Sequence, residues 1–143
     1  MRKIIIIFSM LIFSTLSNAQ SKSKLTQKNY LDLLSWQKES PTLYSLNDDR
    51  LSDDAHPTKY IGAYKENVGQ VFFIDNKEVL FKDSNNKVIN KKNIYTRTLL
   101  SGFYRIVIIW DKNMNEGANC NGQIFLYVNN QLQEKSKIFF NGY

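Results

Sequence analysis

The chain has 143 residues and a formal net charge of +6, with 19 basic residues against 13 acidic ones, and only one histidine and one cysteine. A chain of this size fits one domain and can bury a core without cross-links. Cys120 has no second cysteine to pair with, which rules out an internal disulfide framework. The basic excess is spread out, with Lys87, Lys91 and Lys92 as its tightest group. A nucleic-acid binder would gather Arg and Lys on one face with aromatics between them, so no nucleic acid is expected.

The N-terminus reads MRKIIIIFSMLIFSTLSNAQ. Arg2 and Lys3 form a basic start, residues 4–16 an apolar run, and Ser17, Asn18 and Ala19 a small-residue cleavage site, which together predict a secretory signal peptide over 1–19. A membrane anchor needs about 20 apolar residues, and Ser9, Ser14, Thr15 and Ser17 interrupt the run before that length. Gln20 stands where a lipoprotein would carry a cysteine. The expected product is an exported bacterial-style protein, periplasmic or secreted, with no stable membrane insertion after cleavage. Removing Arg2 and Lys3 lowers its net charge to +4.

Residues 20–24 (QSKSK) read as a flexible N-terminus, and residues 25–143 as a single domain. Over 26–39, Tyr30, Leu33, Leu34 and Gln37 recur at helical spacing, with Leu31 and Trp36 widening the apolar stripe. Thr26 is placed to cap this predicted helix, and Ser40-Pro41 to stop it. Residues 42–58 hold four aspartates, the histidine and a proline without any period, and read as a loop with a short helical turn at 47–50 or 52–55.

From Lys59 onward the pattern is strand and turn. The predicted strands are 59–65, 70–75, 78–82, 87–90, 94–100, 103–110, 123–128 and 131–140, joined at Asn76-Lys77, Ser84-Asn85-Asn86, Ser101-Gly102 and Asn129-Asn130. The echo of Phe73, Asp75, Asn76, Lys77 and Val79 in Phe81, Asp83, Asn86, Lys87 and Val88 repeats turn chemistry and occurs only twice, too few for a repeat protein. The run 103–110 is apolar at nearly every position, which predicts a central strand covered on both sides. The expected fold class is α+β: an N-terminal helix packed on a mostly antiparallel meander sheet of six to eight strands.

Chemistry is sparse. The chain contains no HExxH, GxSxG, CxxC or Gly-rich phosphate loop, so an enzyme is disfavoured and no cofactor is expected. His56 beside Asp53 or Asp54 supplies the one candidate general base for a small hydrolase, without an evident nucleophile. Asp48, Asp49, Asp53 and Asp54 are oxygen donors in a spacing that matches no known cation loop. Asp111, Asn113 and Asn115 occupy the first, third and fifth places of an EF-hand-like pattern, but Glu116 and Gly122 stand where glycine and a bidentate glutamate are required. The stretch 110–123 therefore reads as a long polar hairpin loop, with Cys120 as an inert cysteine or, alternatively, a tether to another molecule.

The piece from Gly122 to Leu132, GQIFLYVNNQL, follows a tryptophan-containing strand and resembles the hairpin of laminin-G and concanavalin-like sandwiches. It spans about thirty residues with its flanks and lacks the usual turn glycine after Val128. The resemblance implies a β-sandwich that binds glycans. The leading expectation from the residues themselves is a non-enzymatic module that engages a protein partner through aromatics on the sheet, such as Phe72-Phe73 and Phe125 with Tyr127.

Overall fold

A computed structural model describes residues 22–29, 43–46, 59–65, 68–82, 86–111 and 119–141. Among these residues there is no helix, and the elements they form are strands. In chain order they are β1 (Lys28–Asn29), β2 (Leu43–Ser45), β3 (Lys59–Tyr60), β4 (Gly62–Lys65), β5 (Gly69–Ile74), β6 (Lys77–Phe81), β7 (Asn86–Lys91), β8 (Ile94–Ser101), β9 (Tyr104–Asp111), β10 (Asn119–Val128) and β11 (Gln131–Asn141). The expected α+β class, with its N-terminal helix, is thus corrected to an all-β arrangement of the described residues.

The physical reason is visible at the start of the predicted helix. The Thr26 amide donates to the Phe73 carbonyl at 2.8 Å, and the Thr26 hydroxyl accepts from the Asn76 amide at 3.0 Å instead of capping a helix. Leu25 is buried and bridges to Ile74, so its tertiary ladder outweighs a weak local helical preference. Residues 30–39 of that predicted helix lie outside the described residues, as do the predicted signal peptide and residues 47–58.

Nine strands form one antiparallel sheet in the order β6-β5-β4-β2-β11-β10-β9-β8-β7, and β1 pairs separately with β3. Two meanders are therefore joined at β2, which bonds to β11 on one side and β4 on the other. The two-sheet sandwich implied by the hairpin resemblance is not this architecture, although β10 and β11 do form a hairpin. Tight turns follow the expected chemistry. Asp75 and Asn76 have φ of 50° and 65°, and Asn129 and Asn130 have φ of 48° and 64°, the left-handed pair that a right-twisted hairpin needs.

The sheet must curl. Strands sit about 4.8 Å apart, so β2 and β8, four places apart in the order, would be roughly 19 Å apart if the sheet were flat. Instead Arg97 Nη1 on β8 donates to the Tyr44 hydroxyl on β2 at 3.2 Å. Gly62 and Gly122 permit the tight approach of neighbouring strands: a Cβ on Gly62 would lie 2.4 Å from the Val71 carbonyl oxygen, and one on Gly122 would lie 2.3 Å from that of Ile109. Each is paired with an aromatic, Phe72 and Trp110 respectively, an arrangement in which the ring covers backbone that a glycine leaves bare.

Alternation along each strand then separates two faces. Inside the curl lie Phe72, Phe81, Ile106, Ile108, Ile124, Leu126, Ile138 and Phe140, all buried. Phe72 meets Phe81 edge-on with centroids 5.8 Å apart, and Trp110 meets Phe140 the same way at 5.6 Å. Strand β9 is an interior strand, third from the β7 edge, and it is not covered on both sides as its composition predicted. Its inward Ile106, Ile108 and Trp110 are buried, whereas its outward Val107 and Ile109 are half-exposed.

Candidate functional site

The sequence-predicted site residues fall in different places. His56, Asp53 and Asp54 lie outside the described residues, as do Asn113 and Asn115. Asp111 ends β9 and is exposed. Cys120 belongs to β10, paired in the ladder with Phe140, so the expected loop over 110–123 is shortened by a strand that begins at Asn119. Among the described residues no group of three or more His, Cys, Asp and Glu is placed to hold a metal. Among the described residues no helix is long and apolar enough to cross a membrane.

Two arrangements of polar and aromatic side chains emerge from the fold. The first lies inside the curl. Arginine only donates hydrogen bonds, so the Tyr44 hydroxyl accepts from Arg97 and must itself donate to Gln70 Oε1, at 3.0 Å. This direction leaves Gln70 Nε2 as a buried donor with no hydrogen-bond partner. The Arg97 guanidinium also lies 5.7 Å from the Trp110 ring, which stacks on Tyr95 at 5.3 Å. Arginine, tyrosine and glutamine in this order exchange hydrogen bonds, and none of the three is a base that would activate the tyrosine hydroxyl. Their effect is to tie β2, β5 and β8 together across the interior.

The second arrangement is the outward face of β8 to β11. Register sets its side chains in rows. Leu100 is opposite Arg105, Arg105 opposite Tyr127, and Tyr127 opposite Leu132. In the next row Thr98, Val107, Phe125 and Lys135 follow one another across the four strands, and then Thr96, Ile109, Gln123 and Lys137. Gln133 is the extra residue of a β-bulge in β11, which keeps Leu132 in the outward row while Glu134 faces inward with Leu126.

Neighbours in these rows touch as cation and ring. The Arg105 guanidinium lies 4.0 Å from the Tyr127 centroid, and the Lys135 ammonium lies 5.4 Å from that of Phe125. Such contacts contribute about 0.5–1 kcal/mol each at a partly exposed site. Beside them Ile94, Ile109, Asp111, Gln123, Lys137 and Phe139 border a shallow depression of about 500 Å³.

Of the aromatics singled out in the sequence, Phe72 and Phe73 are buried and Phe125 and Tyr127 are half-exposed on this face. Sequence reasoning missed Arg105, Lys135, Lys137 and Phe139 as their companions. The only signal for them was alternation in phase with Phe125 and Tyr127, and it becomes readable once the strand register is known. Comparison of the chain with protein-family models, with curated proteins and with solved structures finds no match.

Proposed function

We propose that the mature chain is an exported, non-enzymatic interaction module, acting in the periplasm or outside the cell, and that the outward face of β8 to β11 is its contact surface for a protein partner. The observation that carries this reading is the contiguous set of half-exposed apolar side chains Val107, Ile109, Phe125, Tyr127 and Phe139 on neighbouring strands. Contiguous apolar surface rimmed by polar groups marks recognition sites more often than isolated exposed residues do. Aromatic and arginine side chains also dominate the energy of protein interfaces, and Tyr127 with Arg105 brings both types to one place.

The reading is tested by placing a photo-crosslinking residue at Val107 and, separately, at Glu78, an exposed position on β6 and not part of the β8 to β11 rows, in cells that export the protein. A discrete protein adduct from position 107 and none from 78 is the expected result. Adducts of the same pattern from both positions, or none from 107, would overturn it. Sequencing the N-terminus of the exported product should find Gln20 first.

A further inference from the structure

The same face carries a charge imbalance that specifies the chemistry of its partner. Five cations point outward from β7 to β11, namely Lys87, Lys91, Arg105, Lys135 and Lys137, against one carboxylate among the described residues, Asp111. Among the described residues no carboxylate pairs with Arg105, Lys135 or Lys137, and the first two lie over rings. Resting on the reading of this face as a partner surface, we infer that it accepts an acidic peptide segment of that partner, with Asp or Glu side chains interspersed among apolar ones.

Three features carry the inference. The cations are held in advance: the Arg105 guanidinium carbon lies over the Tyr127 ring and the Lys135 ammonium over that of Phe125, so less side-chain freedom is lost when a carboxylate arrives. A guanidinium carries its terminal N–H groups as a planar fork, the geometry that matches a carboxylate. Val107, Ile109 and Phe139 lie between and beside these cations, so the occupant must present apolar side chains as well as charge.

The alternatives fit less well. Sugars bind proteins by stacking on open aromatic faces, and here Arg105 and Lys135 already lie over Tyr127 and Phe125. An anionic lipid surface would satisfy the cations, but it offers no side chains to enter the depression beside Ile109 and Phe139.

The experiment uses the mature protein and a labelled peptide in which Glu alternates with Val, compared by fluorescence anisotropy with its Gln-for-Glu counterpart. The Glu peptide should bind at least about tenfold more tightly, with an advantage that shrinks as salt is raised. Arg105→Gln and Lys135→Gln should each weaken binding by about three- to tenfold. Lys77→Gln, at an exposed position of β6, should leave it unchanged. Circular dichroism on each variant confirms that the fold is kept. Equal binding of the two peptides overturns the inference. So does equal loss in Lys77→Gln and Arg105→Gln, or displacement of the peptide by a heparin fragment or phosphatidylserine vesicles at lower concentration than by unlabelled peptide. A crosslink from Val107 without preference for Glu removes the acidic partner alone, whereas absence of the crosslink removes the partner surface itself.

Discussion

The outward face of the curled sheet has two halves that obey the same alternation and end differently. On β2, β4 and β5 the outward Leu43, Ala63 and Phe73 join Tyr60 in a second apolar cluster, each 4% exposed or less. Lys28 of β1 lies 6.0 Å from the Phe73 ring, and the buried Ser45 of β2 donates its hydroxyl to the Lys59 carbonyl at 2.8 Å. On β8 to β11 the equivalent positions stay half-exposed, and Ile94 and Leu100 reach 51% and 46% exposure. An outward apolar residue therefore serves stability in the first half, where it is buried, and is left available for contact in the second.

The sharpest way to break this contrast is to truncate one ring in each half. Phe73→Ala should cost about 3–5 kcal/mol, the usual range for a buried phenylalanine, and Phe125→Ala about 1 kcal/mol or less, since its site is already half in water. Urea midpoints measure both, and similar losses would show that the two halves do not differ. Gly122→Ala tests the curl that creates both halves. Its new methyl meets the Ile109 carbonyl oxygen at 2.3 Å, and the strand must shift at a cost of about 1–3 kcal/mol.

Tyr44→Phe removes the acceptor for Arg97 and the donor to Gln70. A buried hydrogen-bonded pair left open costs about 1–3 kcal/mol, so a drop of that size in melting free energy is expected, with the ring packing against Phe72 and Phe140 retained. The smallest effect belongs to the open half: Lys135→Gln should change stability by no more than about 0.5 kcal/mol. A large loss there would mean that the open face supports the fold after all.

Much of the sheet was legible in the sequence after Lys59, because alternation and Asn-rich turns fix short hairpins locally. The hairpin turn expected at Asn76-Lys77 falls one residue earlier, at Asp75-Asn76. Strand β2 was hidden because Leu43–Ser45 is too short to show any period. The expected helix over 26–39 is displaced at Thr26–Asn29 by backbone pairing to Phe73 and to β3, partners far away in sequence. At the candidate site, Phe125 and Tyr127 were readable as a pair on one face of a strand. Phe72 and Phe73 were misjudged because adjacent strand residues face opposite ways, and here both directions are buried. The pairing of Arg105 with Tyr127 and of Lys135 with Phe125 depends on register and on the bulge at Gln133, which composition does not encode.

The position of β2 bears on how the chain assembles. Tyr44, near the start of the described residues, pairs with Phe140, near their end, and with Gly62 on its other side. Each meander can form from neighbours in sequence, but the strand that joins them must wait for the last strand to be made. Long-range closure of this kind is slow because the loop entropy is lost before the contacts are gained. During refolding, the amides around Tyr44 and Phe140 should gain hydrogen-exchange protection after those of β8 and β9. A chain emerging from a ribosome or crossing a membrane would then stay open at this seam until its final strand arrives.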